Sequence, residues 1–246
     1  MIATRLEIPL ADGTTFAHVY TPAKPGPWPG VLMLSDIIGV RDAKQQMARQ
    51  LAAEGYTVLL PHLFHRSGPP PMFDFDAVPG DSRTFGRVME LMQPLTPDKL
   101  GADLGTYVGA LTSHSACAPG KIGVVGYCIS GGFSLLTAAL FPEQVGVAAS
   151  FHGALLHTAA PNSPHRLLPA IKARTYFGHA ANDPLMPAEA IEQLDAALKE
   201  WGGDHRSETY PAAHGWTVPD RKAEFDAQQA ERAFRALTAE LRALAS

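Results

Sequence analysis

Cys128, Asp183 and His214 have the residue types and the chain order of a nucleophile, an orienting acid and a base. The cysteine stands in KIGVVGYCISGGF, residues 121–133, where a run of small and β-branched residues passes at once into an apolar helical pattern. Such a junction needs a sharp turn whose apex is strained, so the residues two before and two after it must be small. Gly126 and Ser130 meet that demand around Cys128. This is the spacing of a nucleophile elbow, with sulfur at the apex.

An ordinary thiol, with a pKa of about 8.5, is only a few per cent ionised at neutral pH, so a catalytic cysteine needs a neighbouring base or a positive field. An apex at the start of a helix supplies part of that field through free amides and the helix dipole. The Ile129 N–H is placed to stabilise an oxyanion, and the Ile37 N–H, in the loop after VLMLSD, is the natural second donor. Asp183 and His214 each fall in a strand-end loop rich in turn formers, HAANDPLMP and YPAAHGW. Of the ten histidines, His152 and His179 are rival bases, but both precede Asp183 and require a different order. His62 and His65 make a poor metal site, since no acidic or cysteine partner follows at ligand spacing. Neither metal nor organic cofactor is needed for this chemistry.

Strand-like and helix-like segments alternate along the chain, which predicts an α/β fold with a mainly parallel sheet, in one domain over residues 1–246. Segments 5–9 and 14–20 flank ADGT and read as a hairpin. GVLMLSD and TVLLP are continuous apolar runs suited to strands buried on both faces, and DAKQQMARQLAAEGY between them reads as an amphipathic helix closed by Gly55. Residues 62–82 are rich in Pro and Gly and read as a surface loop near the site. A helix is expected around 98–113. After the elbow come a strand in VGVAASFHG, a strand in ARTYFGHAANDPLMP, a helix over 188–201, a short last strand in HRSETYPAAHGW, and a terminal helix over 221–244. Reactive groups gather at the C-terminal ends of parallel strands, which singles out Asp36, Cys128, His152, Asp183 and His214.

With 20 basic against 24 acidic residues and no basic stripe, nucleic acid is an unexpected partner. No stretch of about 18 apolar residues and no secretory-type N-terminus occurs, so the reading is of a soluble cytoplasmic protein without a membrane role. Cys117 and Cys128 are separated by a strand that holds their sulfurs roughly 20 Å apart, which makes both free thiols. Cys117 is expected to be buried and chemically silent.

In combination, LSDIIGV, LAAEGYTVLLPHLFHR, VGYCISGG, SFHG, GHAANDPLMP and YPAAHGWTVPDR resemble the dienelactone hydrolase family, the cysteine-based branch of the α/β-hydrolase superfamily. The resemblance spans nearly the whole chain. It implies an α/β-hydrolase fold with helices on both faces of the central sheet, and an ester or lactone hydrolase working through an S-acyl enzyme. It implies Cys128 as nucleophile, His214 as general base and acid, Asp183 as its orienting partner, and Ile37 and Ile129 as backbone donors. Two positions depart from the family pattern: Ser130 replaces the usual second glycine of the elbow, and Asp36 stands where a glutamate usually modulates the thiol. The family's best-known substrates carry a carboxylate held by arginines. Here Val218 follows the histidine and Arg221 reads as a helix-terminus ion pair, leaving Arg83 and Arg87 as candidates, with His152 and Trp216 as further candidate contacts and Phe73 and Phe75 as apolar lining. Two other readings are an enzyme acting mainly on another electrophile, such as an activated phosphoester, and a non-catalytic small-molecule binder that keeps the fold.

Overall fold

A computed structural model describes residues 1–78 and 80–245. Pro79, in the segment read as a loop, lies outside the described residues. The chain divides into two compact units, Met1–Ala118 and Pro119–Ser246.

The first unit opens with the expected hairpin. Strands β1 (Ile2–Leu10) and β2 (Gly13–Thr21) pair antiparallel about Ala11-Asp12, and Gly13 takes a φ of +152° that closes the tight turn. β2 pairs antiparallel with β4 (Thr57–Pro61), and β4 pairs parallel with β3 (Gly30–Leu34). Every residue of β3 and β4 is buried, as their unbroken apolar runs require. Between them runs α1 (Asp42–Ala53), whose Asp42 complements the helix dipole and whose exit is turned by Gly55 at a φ of +98°.

Residues 62–81 are less superficial than their composition predicts: Leu63, Phe64, Met72 and Phe73 are all buried. Helix α2 (Ser82–Met92) has no counterpart among the sequence expectations. Asp81 starts it by accepting a hydrogen bond from the Thr84 N–H at 2.8 Å, and its apolar side chains are divided, with Leu91 buried and Phe85 and Met89 exposed. Helix α3 (Pro97–Thr112) begins where expected, with Thr96 as cap and proline in the first turn.

The second unit holds four parallel strands in the order β5 (Ile122–Tyr127), β6 (Val145–Phe151), β7 (Arg174–Asn182) and β8 (His205–Ala213). Helix α4 (Ser130–Leu140) follows β5, and α5 (Ala188–Trp201) ends at Gly202 in the left-handed conformation. The terminal helix α6 (Ala227–Leu241) starts later than the predicted 221. Asp226 accepts from the Gln229 N–H at 2.9 Å and so fixes the first turn, while Arg221–Phe225 is taken up by tight turns. Among the described residues no helix is long and apolar enough to cross a membrane.

The β5–α4 junction has the expected elbow form. Cys128 has a φ of +57°, and a Cβ placed on Gly126 would run into the carbonyl of Ser130. Because that contact is backbone against backbone, no rotamer change relieves it. Gly126→Ala should therefore destabilise the protein by at least about 2 kcal/mol in urea unfolding and abolish turnover, whereas Gly86→Ala, in open space on α2, should be neutral or stabilising by up to about 1 kcal/mol.

Candidate active site

Cys128 is strained but tightly held. Its N–H donates to the Phe151 carbonyl at the end of β6 (3.1 Å), and its carbonyl accepts from Gly131 in α4 (2.9 Å) and from Ala154 beyond β6 (3.1 Å). The left-handed apex thus has all its backbone groups paired, and the half-buried side chain projects at the start of α4.

Asp183 follows β7, where its Oδ1 accepts from the Leu185 N–H at 2.9 Å, a local turn that fixes the carboxylate. His214 follows β8 and donates its backbone N–H to the Asn182 carbonyl at 3.3 Å. The neighbouring parallel strands β7 and β8 therefore deliver the acid and the imidazole side by side: His214 Nδ1 lies 2.7 Å from Asp183 Oδ2. On its other side the ring is close enough to Cys128 for the thiol to act on its charge. Burial works against the charged ring, but the pull of Cys128 and the bond to Asp183 outweigh it and push His214 up to about 10. An imidazole held between a thiol and a carboxylate can carry the thiol proton, and in its charged form it favours the thiolate.

The rival histidines occupy different settings. His179, on β7, is buried, with neither ring nitrogen hydrogen-bonded among the described residues, and burial pushes it down to about 4. His152 is buried against His214, with ring centroids 5.0 Å apart, and its Nε2 meets the Thr217 hydroxyl at 2.9 Å. Trp216 has no exposed surface; it stacks on Tyr210 at 4.9 Å and packs against His152 at 5.3 Å. Cys117 is a buried free thiol whose pKa burial pushes up.

In the first unit, Asp36 follows β3 and is buried. Its Oδ1 accepts from the Ile38 N–H at 3.1 Å, a loop-capping bond, and the Gly39 N–H closes the same turn on the Asp36 carbonyl around Ile37. Arg41 grips the carboxylate with two nitrogens (2.7 and 3.1 Å), and the fully buried Lys44 ammonium lies 3.1 Å from Oδ2. Burial alone would raise this carboxyl, but Lys44 and Arg41 reverse the effect and hold it well below the usual carboxylate range. Its contribution to stability is therefore present above about pH 3.9 and lost as pH falls further. Sequence reading missed both cations. Lys44 carries a signal, since it shares the stripe of α1 with the buried Met47, Ala48 and Leu51, where a lysine is out of place without a partner.

Arg83 lies exposed over the Phe75 ring at 3.8 Å, and Arg87 donates from Nε to the Met72 carbonyl at 2.8 Å, tying α2 to the preceding loop. Phe73 is buried and meets Phe75 edge-on at 5.4 Å. Arg221 pairs with Glu224 at 3.0 Å, in the turns ahead of α6 rather than at its terminus. Folding also gives His65 acidic neighbours remote in sequence: Asp12, His65 and Asp103 offer ligand atoms within 4.8 Å of one another. Arg66 donates to both carboxylates at 2.6 to 3.1 Å, so a guanidinium already supplies the positive charge there.

The family model for dienelactone hydrolases matches residues 16–244. This chain belongs to the dienelactone hydrolase family. It is 28% identical over 195 residues to the carboxymethylenebutenolidase of Pseudomonas putida, covering 79% of this chain and 77% of that protein. A Methylorubrum extorquens protein provisionally given the same name is 25% identical over 245 residues, covering 96% and 79%. A crystal structure from Klebsiella pneumoniae, provisionally named a dienelactone hydrolase, superposes with a TM-score of 0.85 at 24% identity over 98% of each chain. The fold is accordingly the α/β-hydrolase fold with a mainly parallel sheet, and the protein is a hydrolase of the ester and lactone class.

The raised value of His214 has a direct spectroscopic consequence. Its ring resonances should show no titration between pH 6 and 8 in the parent, and an inflection moved down toward the ordinary value of about 6.5 in Asp183→Asn, followed by NMR of histidine-labelled protein. The matching stabilisation is full below about 6.5 and is lost as pH rises toward 10.

Proposed function

We propose that the chain, acting as one domain over residues 1–246, hydrolyses small carboxylic esters or lactones through an S-acyl enzyme on Cys128. The observation that carries this reading is the His214 ring, bonded to a buried Asp183 carboxylate and electrostatically coupled to a cysteine at the apex of a strained elbow. In this mechanism His214 takes the thiol proton, or holds it already in the ion pair, and Cys128 attacks the carbonyl. The Ile129 amide at the head of α4 and the Ile37 amide stabilise the oxyanion. His214 then protonates the leaving alcohol and activates water, which releases the acid and restores the thiol. Asp183 orients the imidazole without exchanging the proton itself. No cofactor takes part, and the partner is a small molecule rather than a nucleic acid or membrane. Family kinship favours lactones of the carboxymethylenebutenolide type, with Arg83 and Arg87 as candidate carboxylate contacts. The protein works in the cytoplasm in this reading.

A panel of lactones, p-nitrophenyl esters and activated phosphotriesters tests it. Cys128→Ala should lose about 10⁴-fold or more in kcat, as should His214→Ala, while Asp183→Asn should lose about tenfold to hundredfold less than either. Cys117→Ala should be near parent. A mass spectrum should find the acyl group on Cys128; acylation of Cys117 would sink the assignment. Preferential turnover of phosphotriesters would favour the other-electrophile reading, and no turnover of any class would favour a binder.

Asp36 is proposed as a modulator of the thiol, acting as a buried carboxylate paired with two cations. Removing its charge takes away the carboxylate that Arg41 and Lys44 both contact. Asp36→Asn should raise the alkylation rate of Cys128 by iodoacetamide near neutral pH on the Cys117→Ala background, and should cost about 3 kcal/mol of stability through the broken buried pair. Coincident alkylation profiles would reduce Asp36 to a structural role.

A further inference from the structure

His152 is an outlier twice over. It is a bulky residue with a φ of +40°, and it is an imidazole 99% buried beside the candidate base. Left-handed backbone at such a residue is strained and persists only where the surroundings impose it. Here they do. The His152 N–H donates to the Gly178 carbonyl of β7 at 2.8 Å, and the ring is wedged among Tyr127, Trp216 and His214 at centroid distances of 5.9, 5.3 and 5.0 Å. Its Nε2 is committed to the Thr217 hydroxyl at 2.9 Å, and Thr217 is itself buried.

That bond joins the end of β6 to the segment that carries His214. The segment 213–218 is a run of tight turns, with Trp216 N–H donating to Ala213 and Val218 N–H to Gly215. Asp183 fixes one nitrogen of the His214 ring but leaves the ring free to tilt about that bond. The His152 ring, packed edge-on against it at an interplanar angle of 68°, blocks the tilt. Thr217 in turn holds His152 in place.

We propose that His152 and Thr217 form a latch that positions His214 toward the Cys128 sulfur, with His152 acting as a positioning residue rather than as a base or a substrate contact. The inference rests on the reading of Cys128 and His214 as nucleophile and base. Loss of the latch should uncouple the imidazole from the thiol while leaving the Asp183 bond and the fold in place. The groups facing His214 are Cys128, Asp183 and His152, so a change in the pH profile of the thiol reports on its coupling to the ring.

The test compares Thr217→Val, which removes the hydroxyl, with Thr217→Ser, which keeps it, on the Cys117→Ala background. Three quantities are measured: kcat and KM on a p-nitrophenyl ester, the pH dependence of iodoacetamide alkylation at Cys128, and the melting temperature. Thr217→Val should lower kcat about tenfold with KM within about twofold, and should move the alkylation inflection up by about half a pH unit. Thr217→Ser should restore both to within about twofold. His152→Leu should reproduce the valine variant, and the double variant should be no worse than either single, since the two residues act as a unit. Should the valine variant not fold, His152→Leu alone carries the same expectation. An unmoved alkylation profile, or a serine variant as impaired as the valine one, would overturn the latch. Full turnover in Cys128→Ala would instead overturn the nucleophile reading, and that result is independent of either latch variant.

Discussion

The close passage of the Ser130 carbonyl over Gly126 is the constraint on which the rest of the site depends. A strand buried along its whole length can turn into a helix within two residues only if the backbone is allowed this contact, and only then does the apex side chain stand clear of both elements. The left-handed backbone of Cys128 is one cost of that geometry, and it is offset by bonds from Phe151, Gly131 and Ala154 that leave no backbone group of the apex unpaired. The glycines at 131 and 153 serve the same purpose from behind, since a side chain at either would run into Ser150.

Within each unit the charges are arranged in a different way. Asp183 and His214 are brought together by adjacent parallel strands, so a backbone register sets their distance. Asp36, Arg41 and Lys44 form a denser group within one loop and one helix start, where a buried carboxylate offsets a fully buried ammonium. The first arrangement leaves an imidazole able to gain or lose a proton. The second locks a carboxylate in its charged form over the whole physiological range. Hydrogen-bond geometry and burial, rather than residue type alone, separate a group suited to proton transfer from one suited to holding a fixed field.

Much of this was legible before any coordinates. The elbow could be read because its steric demand falls on three positions close in sequence, and β3, β4 and β5 because strands buried on both faces are apolar without interruption. Helix α2 escaped because it follows directly on the Pro- and Gly-rich run and its start depends on one capping aspartate, although Val88, Leu91 and Met92 share one face. The early start expected for α6 failed for a related reason, as Asp226 captures the first turn and Arg221–Phe225 goes into tight turns. Of the residues around the candidate base, Thr217 was invisible because its partner lies 65 positions away, and nothing in a threonine's neighbours announces such a bond. Lys44 was readable in principle from its place on the apolar stripe of α1.

Chain order gives this arrangement a kinetic side during synthesis. The thiol is in the polypeptide 86 residues before the imidazole that pairs with it, since Cys128 precedes His214 by that count. At about 5 to 20 residues per second, translation separates the appearance of the cysteine from that of the histidine by roughly 4 to 17 seconds. The Asp183–His214 bond can therefore form only late, when the last strand is in place to carry the histidine loop, and a truncated chain ending before β8 would hold the elbow and the acid without their imidazole.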